Sequence, residues 1–234
     1  MTKYLTVLFK KHKKHLPKKL EGIFIGELLR YGIFILISAW IFQGMLYMNW
    51  RETVIKILLD LLILLILFYC GINIIVAFII AHTLNFAFNG QLFAMFTHQG
   101  ATNVSPESFL NNTLKMAGRI KKTNYIDAAI AYGSLSRGCY KKTSDIDVRF
   151  IPKKGKWWRT ALFAVKERII AFINGYPLDL YVFDSEILIK KMRSDELPII
   201  LYENEEVVQH IYKKHVPLDE FVNIFKQNNF KVTV

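Results

Sequence analysis

Three aspartates are the residues of this sequence best suited to do chemistry. Asp145 and Asp147 lie two positions apart in an apolar run, so on a β-strand both carboxylates point to one face. Asp179 interrupts a second apolar run, residues 178–182. Carboxylates that share a face repel each other unless a cation lies between them, and Mg²⁺ prefers oxygen ligands. The pattern predicts a magnesium site in which Asp145, Asp147 and Asp179 are metal ligands and catalytic residues.

A Gly-Ser turn ahead of these aspartates predicts a phosphate site. Residues 126–132 are apolar and favour a buried strand, and Gly133 permits a sharp turn after it. Ser134 then lies where a helix can begin, with its hydroxyl and free backbone N–H groups available to an anion. Arg137 is placed to reach a triphosphate oxygen, although a surface role fits nearly as well. Ser144 is a further candidate phosphate ligand, or a simple cap.

These parts together resemble the DNA polymerase β-type nucleotidyltransferase superfamily. That family combines a Gly-Ser turn, an Asp-x-Asp pair and a later lone Asp, and Gly133-Ser134, Asp145-x-Asp147 and Asp179 fill these places. Residues 133–138, read with Ser144-Asp145, are closest to the minimal nucleotidyltransferase domains.

The resemblance covers roughly residues 105–205. It implies a mixed sheet with helices, an NTP whose base is not specified, and two Mg²⁺ ions. It also implies nucleotide binding by the turn and its neighbours: Gly133, Ser134, Arg137 and Ser144.

A purely structural interpretation of the aspartates competes with this one. It makes Asp145 a helix-terminal cap, Asp147 a solvated strand residue and Asp179 an edge charge. It is weaker because each Asp interrupts an apolar run, where an unpaired charge is costly. Arg149 follows Asp147 by two residues and shares its face of the strand, where it either steadies Asp147 or contacts substrate.

The first part of the chain predicts a membrane region. The formal charge is +12 and the mean hydropathy is +0.24, a combination that favours a membrane protein with basic surfaces. Residues 1–20 are heavily basic, and either lie on anionic lipid as an amphipathic segment or form a disordered tail. Residues 31–48 and 61–80 are uncharged and long enough to span a bilayer. Residues 84–96 predict an interfacial segment.

Lysine excess before the first span predicts a multi-pass protein with two spans, whose N-terminus and catalytic domain are both cytoplasmic. His82, Asn85 and Asn89 then fall on one helix face at the membrane boundary. They either line a site for a lipid headgroup or make ordinary hydrogen bonds between helices, and we favour the second interpretation.

Two helices are predicted around the aspartates. Ser105, Pro106 and Glu107 are an N-cap, a Pro at the first position and an acid in the first turn, so a helix begins there and runs to about residue 122. Residues 157–172 have helical spacing, with a core face predicted at four positions: Trp158, Leu162, Val165 and Ile169.

The predicted fold is α+β: a small mixed sheet with flanking helices at residues 99–234, preceded by the α-helical membrane region at residues 1–98. The favoured function is transfer of an NMP from an NTP to a lipid, sugar or glycan precursor by a membrane-anchored, two-metal enzyme. One alternative is AMP transfer to a protein, similar to nucleotidyltransferases of toxin–antitoxin pairs. The other is a non-catalytic module that binds nucleotide or nucleic acid. Nucleic acid is the less favoured partner because most of the positive charge flanks the predicted spans.

Overall fold

The structure is a computed structural model of the 234-residue chain. It describes residues 31–45, 48–88, 93, 104–133, 135–136, 140–141, 144–183, 197–212 and 214–230. The predicted basic segment at residues 1–20 lies outside these ranges.

In the described part of the chain, four helices precede five strands and three further helices. The helices are α1 (Gly32–Phe42), α2 (Trp50–Tyr69), α3 (Ile74–Phe88), α4 (Pro106–Lys121), α5 (Trp157–Ile173), α6 (Val207–Ile211) and α7 (Leu218–Asn229). The strands are β1 (Ile126–Tyr132), β2 (Ile146–Pro152), β3 (Leu178–Val182), β4 (Ile199–Glu203) and β5 (Val216–Pro217).

The strands form a five-stranded mixed sheet in the order β3-β2-β1-β4-β5. Strand β1 pairs antiparallel with β2 and with β4, whereas β2–β3 and β4–β5 pair in parallel. This confirms the predicted α+β class with a mixed sheet and flanking helices. Strands β1 and β3 coincide with the runs that apolar composition indicated.

The two faces of the sheet have different neighbours. One face carries Val148 and Phe150 of β2 and Leu180 of β3, and it packs with residues of α4, α5 and α7 in the main hydrophobic core. Because side chains alternate along a strand, Asp147 and Arg149 point to the opposite face. That face carries a smaller apolar cluster around Ile130 and Tyr132. The sheet thus places the predicted catalytic residues on the face that the large helices leave uncovered.

The cap of α4 is confirmed. The Ser105 side chain accepts a hydrogen bond from the backbone N–H of Ser108, Pro106 is the first helical residue, and Glu107 lies in the first turn. The helix ends at Lys121, close to the expected boundary.

The predicted core face of α5 is wrong at Trp158 and Leu162, whereas Val165 packs against the main core. Trp158 and Leu162 are 46% and 58% exposed, whereas Ala161 and Ala164 are buried. The buried side of this helix also includes two charged residues, Glu167 and Arg168. Small alanines allow α5 to approach the sheet closely, so hydrophobicity alone selected the wrong stripe.

Helices α1, α2 and α3 pack together, and α2 and α3 also contact α5. Helices α2 and α3 run antiparallel, with Asn85 Nδ2 donating to the carbonyl of Lys56 at 2.9 Å. The His82 ring lies 2.9 Å from Asp60 Oδ2 and 2.9 Å from the carbonyl oxygen of Trp40. His82 and Asn85 therefore bond between helices, in agreement with the favoured interpretation, while Asn89 lies outside the described residues.

The predicted two-span, multi-pass localisation is wrong, and the cytoplasmic orientation derived from it is withdrawn. No helix of the described residues is both long and apolar enough to cross a membrane. Helix α1 has 11 residues, about 16 Å at 1.5 Å per residue. The predicted span at residues 61–80 is divided by a turn that separates α2 from α3, at Gly71. Residues 61–80 are uncharged and numerous enough to span a bilayer, but they do not form one continuous helix.

The predicted interfacial segment at residues 84–96 overlaps the end of α3. Phe88 and Phe93 each contact the ring of Phe172 on α5, with ring centroids 5.4 and 5.7 Å apart. The rest of that segment lies outside the described residues.

Candidate active site

The register of three strands brings the site together. Tyr132, the last residue of β1, pairs with Asp147 on antiparallel β2. Asp147 in turn pairs with Asp179 on parallel β3. Directly paired residues have their side chains on the same face of a sheet, so the carboxylates of Asp147 and Asp179 are neighbours. Asp145 lies just before β2 and is close enough to influence the ionisation of Asp147.

Gly133 fits a turn that no other residue could occupy without displacing Asp147. Its φ is +73°, a left-handed conformation that favours glycine. A Cβ added there would lie 2.1 Å from Asp147 Oδ2. The backbone of the turn thus lies directly against the Asp147 carboxylate, which explains why this place in the motif needs a glycine.

Among the described residues, Asp147 has more negative than positive charge around it. Its pKa is raised from 3.8 to about 8, first by burial and then by the negative charges of Asp145 and Asp179, with Arg149 opposing the shift. A hydrogen bond with Asp179 adds to the increase. Proteins create such clusters of carboxylates where a cation or a proton is to be held. Asp147 is therefore the carboxylate that gains most from a bound cation.

Arg149 binds Asp179 rather than Asp147. Its Nη2 donates to Asp179 Oδ2 at 3.2 Å, and its Nη1 donates to the backbone carbonyl of Asp179 at 2.9 Å. The guanidinium lies over the ring of Tyr181, 4.6 Å from its centroid. Sequence reasoning placed Arg149 on the correct face and named Asp147 or substrate as its contact. The parallel pairing of β2 with β3 instead brings Asp179 into contact with Arg149.

The candidate phosphate ligands are only partly described. Ser134 and Arg137 lie outside the described residues, as do their contacts. Ser144 is buried, and its hydroxyl oxygen accepts from the backbone N–H of Lys141 at 3.0 Å. The Ser136 hydroxyl donates to the carbonyl of Gly133 at 2.8 Å. These two serines close the turns on either side of the loop, which agrees with the capping interpretation of Ser144.

A tyrosine pair beside the aspartates was missed from the sequence. The hydroxyl of buried Tyr132 donates to the hydroxyl of Tyr212 at 3.1 Å. Tyr132 shares the face of Asp147, so the pair forms one wall of the site. Tyr132 could have been found from its position immediately before Gly133, whereas Tyr212 lies 80 residues away and has no local signal.

The donor set fits a divalent cation, although it is not arranged as a finished metal site. Within the described ranges, no group of three or more His, Cys, Asp and Glu side chains has the arrangement of a metal site. Arg149 takes one oxygen of Asp179. Among the described residues, Arg149 supplies the guanidinium that contacts this group of three carboxylates, at Asp179, and hard oxygen ligands of this kind suit Mg²⁺. Asp145, Asp147 and Asp179 are thus the residues that would hold it.

Comparison with known families agrees with this geometry. Residues 114–217 match the family model of the nucleotidyltransferase domain. The matched region extends from α4 to β5 and contains all of the site residues named above, but it is less than half of the chain. It supports nucleotidyl transfer as a general function, and domains of this family generally use Mg²⁺ with an NTP substrate. No curated protein matches the chain.

Proposed function

We propose that this protein transfers an NMP group from an NTP to an acceptor hydroxyl or phosphate, with two Mg²⁺ ions. The observation that supports this most directly is the strand register, which sets Asp147 beside Asp179 and against the Gly133 turn. Bound Mg²⁺ would neutralise charge on the triphosphate and lower the pKa of the acceptor group.

The residues of this chain have separate roles in the proposed reaction. The Gly133 turn and Ser134 hold the β- and γ-phosphates through N–H and hydroxyl groups, and Arg137 and Ser144 are further candidate phosphate ligands. Asp145, Asp147 and Asp179 hold the metal ions. The acceptor oxygen attacks the α-phosphorus, and Asp179 accepts the proton that this oxygen loses. The bond between the α-phosphorus and the bridging oxygen then breaks, and pyrophosphate leaves.

The pairing of Arg149 with Asp179 is compatible with this role. Arg149 Nη2 donates to Asp179 Oδ2 at 3.2 Å. The same contact fixes the orientation of the carboxylate, because Arg149 also binds the backbone carbonyl of Asp179.

The test is NMP transfer by the purified full-length chain, measured as pyrophosphate release with each labelled NTP and Mg²⁺. We expect Asp147→Asn and Asp179→Asn to lower the rate by about 100-fold or more, because catalytic metal ions supply several kcal/mol of transition-state stabilisation. Asp127→Asn is the matched control, since Asp127 lies at the far end of β1. Unchanged transfer in the Asp147 and Asp179 variants would falsify the proposal.

The acceptor is identified by following the label into cell fractions. Label in lipids, sugars or glycan precursors indicates a small-molecule or glycan acceptor. Label on a protein band indicates the alternative, a protein-nucleotidylating enzyme. Strong, salt-dependent RNA binding without transfer would instead indicate a non-catalytic module.

A further inference from the structure

Side chains bind the outer edge of β3. Among the described strands, β3 is the first in the sheet order and β2 is the one that pairs with it. On its other side, Glu52 of α2 accepts a hydrogen bond from the backbone N–H of Val182 at 3.0 Å. Arg168 of α5 donates through Nε to the backbone carbonyl of Leu180 at 3.2 Å, and its Nη2 donates to the same oxygen.

These two side chains also bind each other. Arg168 Nη2 lies 2.6 Å from Glu52 Oε1, and the side chains are only 3% and 1% exposed. Each oxygen of Glu52 therefore has a named donor, one from Arg168 and one from the strand. A buried ion pair is tolerated when its geometry is good and its remaining bonds are satisfied, and this pair meets both conditions.

Asp179 lies between this pair and Arg149. Its own backbone carbonyl and carboxylate are bound by Arg149 from the β2 side. The next residue, Leu180, is bound by Arg168 from the outer side. The backbone that carries the Asp179 carboxylate is thus fixed on both sides by charged hydrogen bonds.

We propose that Glu52, acting with Arg168, is a positioning residue for Asp179. Helix α2 lies outside the residues that match the nucleotidyltransferase family, so the N-terminal helices complete the catalytic strand and are part of the catalytic unit. This inference depends on the proposed function, because it takes Asp179 as a metal ligand. Without the Glu52 carboxylate the protein would still fold, but the Asp179 carboxylate would be displaced from its position. A displacement of about 1 Å is enough to impair an active site.

The matched comparison is between two ion pairs that have adjacent residues of α5 as members, Glu167 and Arg168, and in which the glutamate is buried. Glu167 is bound by Arg119 at 2.8 and 2.6 Å, and its side chain is fully buried, but its two bonds go to α4 and not to β3. Glu52→Gln and Glu167→Gln both replace one carboxylate of a buried pair with a neutral amide of the same shape. Only the first of them alters the contacts of β3.

The experiment measures Mn²⁺ affinity of the full chain by titration without nucleotide, with melting temperature and NMP-transfer kinetics alongside. We expect both variants to lower the melting temperature, but only Glu52→Gln to weaken Mn²⁺ binding, by about tenfold, as for other residues that support metal ligands. Its kcat should fall while KM for NTP changes little. Equal Mn²⁺ affinity in the two variants, or an unchanged affinity in Glu52→Gln, would overturn the proposal.

Two further variants keep the result interpretable. Arg168→Lys keeps the charge beside Glu52 but cannot reproduce the forked contact with Leu180, so it should weaken Mn²⁺ binding in the same direction even if Glu52→Gln does not fold. Asp179→Asn tests the underlying assignment. If Asp179→Asn weakens Mn²⁺ binding and neither Glu52→Gln nor Arg168→Lys does, the positioning role alone is wrong. If Asp179→Asn has no effect, the proposed metal site is wrong as well.

Discussion

The Asp147 carboxyl connects the ionisation of the site to its metal chemistry. Without a cation, the folded protein holds the pKa of Asp147 near 8, whereas the ordinary value is 3.8. A carboxyl whose pKa is raised by folding stabilises the folded state below its ordinary pKa, and this stabilisation is lost as pH rises towards the folded value. A divalent cation competes with the same proton, so its affinity should increase over this pH range.

We expect the free energy of unfolding, measured in EDTA, to fall between about pH 5 and pH 8 because of this group. Asp147→Asn should remove that part of the pH dependence. Mn²⁺ affinity of the unaltered chain should rise by up to about tenfold per pH unit over the same range if one proton is released per ion. Denaturant titrations and Mn²⁺ titrations at several pH values check both statements. An affinity independent of pH would contradict the assignment of Asp147.

Gly133 permits a test in which backbone strain and active-site contact are separated. Gly133→Ala and Gly155→Ala both place a side chain at a left-handed φ, +73° and +74°. The strain should cost about 1–2 kcal/mol in each. At Gly155 no atom lies within 4 Å of the added Cβ, whereas at Gly133 it meets Asp147 Oδ2.

We therefore expect Gly155→Ala to lower stability without affecting Mn²⁺ binding, and Gly133→Ala to lower both, with NMP transfer reduced by about tenfold or more. Thermal unfolding and Mn²⁺ titration of the two variants provide the comparison. Similar Mn²⁺ affinities would mean that the turn and the carboxylate are independent.

At the scale of single elements, helix α5 shows where reasoning from hydrophobicity fails. Two of its large apolar residues, Trp158 and Leu162, are exposed, and its alanines are buried. Ala164 is fully buried, so Ala164→Leu should destabilise the fold by about 1–3 kcal/mol through overpacking. Leu162→Ala should change stability by about 0.5 kcal/mol or less, since exposed positions tolerate substitution. Denaturant unfolding measures the loss of stability in both variants. A larger loss in Leu162→Ala than in Ala164→Leu would instead support the core face that the sequence predicted.

Local signals predicted the elements that carry the site. Apolar composition located β1 and β3, and the capping residues located the start of α4. The spacing of Asp145 and Asp147 predicted one shared strand face, but β2 begins at Ile146, so only Asp147 lies in the strand. These features depend on neighbouring residues, so they can be read from the chain itself. The pairing of β2 with β3, and with it the contact of Arg149 with Asp179, depends on residues 30 positions apart.

At the scale of the whole molecule, the N-terminal helices show what composition does not reveal. The uncharged stretch after Asp60 gave no sign that the chain turns back at Gly71. Nor did it show that Glu52 would reach Arg168, 116 residues away. The polar residues of α2 face inwards, while apolar ones such as Leu62 and Leu65 are exposed. Hydropathy reports how many apolar residues a helix has, but the direction in which they point is set by these distant partners.

Lys56 provides the last prediction, because it links α1 to α2 in the protein interior. Its side chain is buried, and its Nζ donates to the backbone carbonyl of Gln43. Burial first, and then the charge of Arg168, lower its pKa from 10.5 to about 6, against the opposing effect of Asp60 and Glu52. A lysine whose pKa is lowered by folding binds fewer protons in the folded state, so stability should rise with pH between about 6 and 10.

Lys56→Met keeps the length of the side chain and removes its charge. We expect this variant to be as stable as the unaltered chain at pH 7, or more stable by about 1–4 kcal/mol, because apolar replacement of a buried ionisable group is often neutral or favourable. It should also lose the increase in stability between about pH 6 and pH 10 that Lys56 causes. Unfolding titrations across this range measure both effects. If the variant is strongly destabilised at pH 7, the hydrogen bond from Lys56 to Gln43 stabilises the packing of α1, and the buried Lys56 amine does not destabilise the fold.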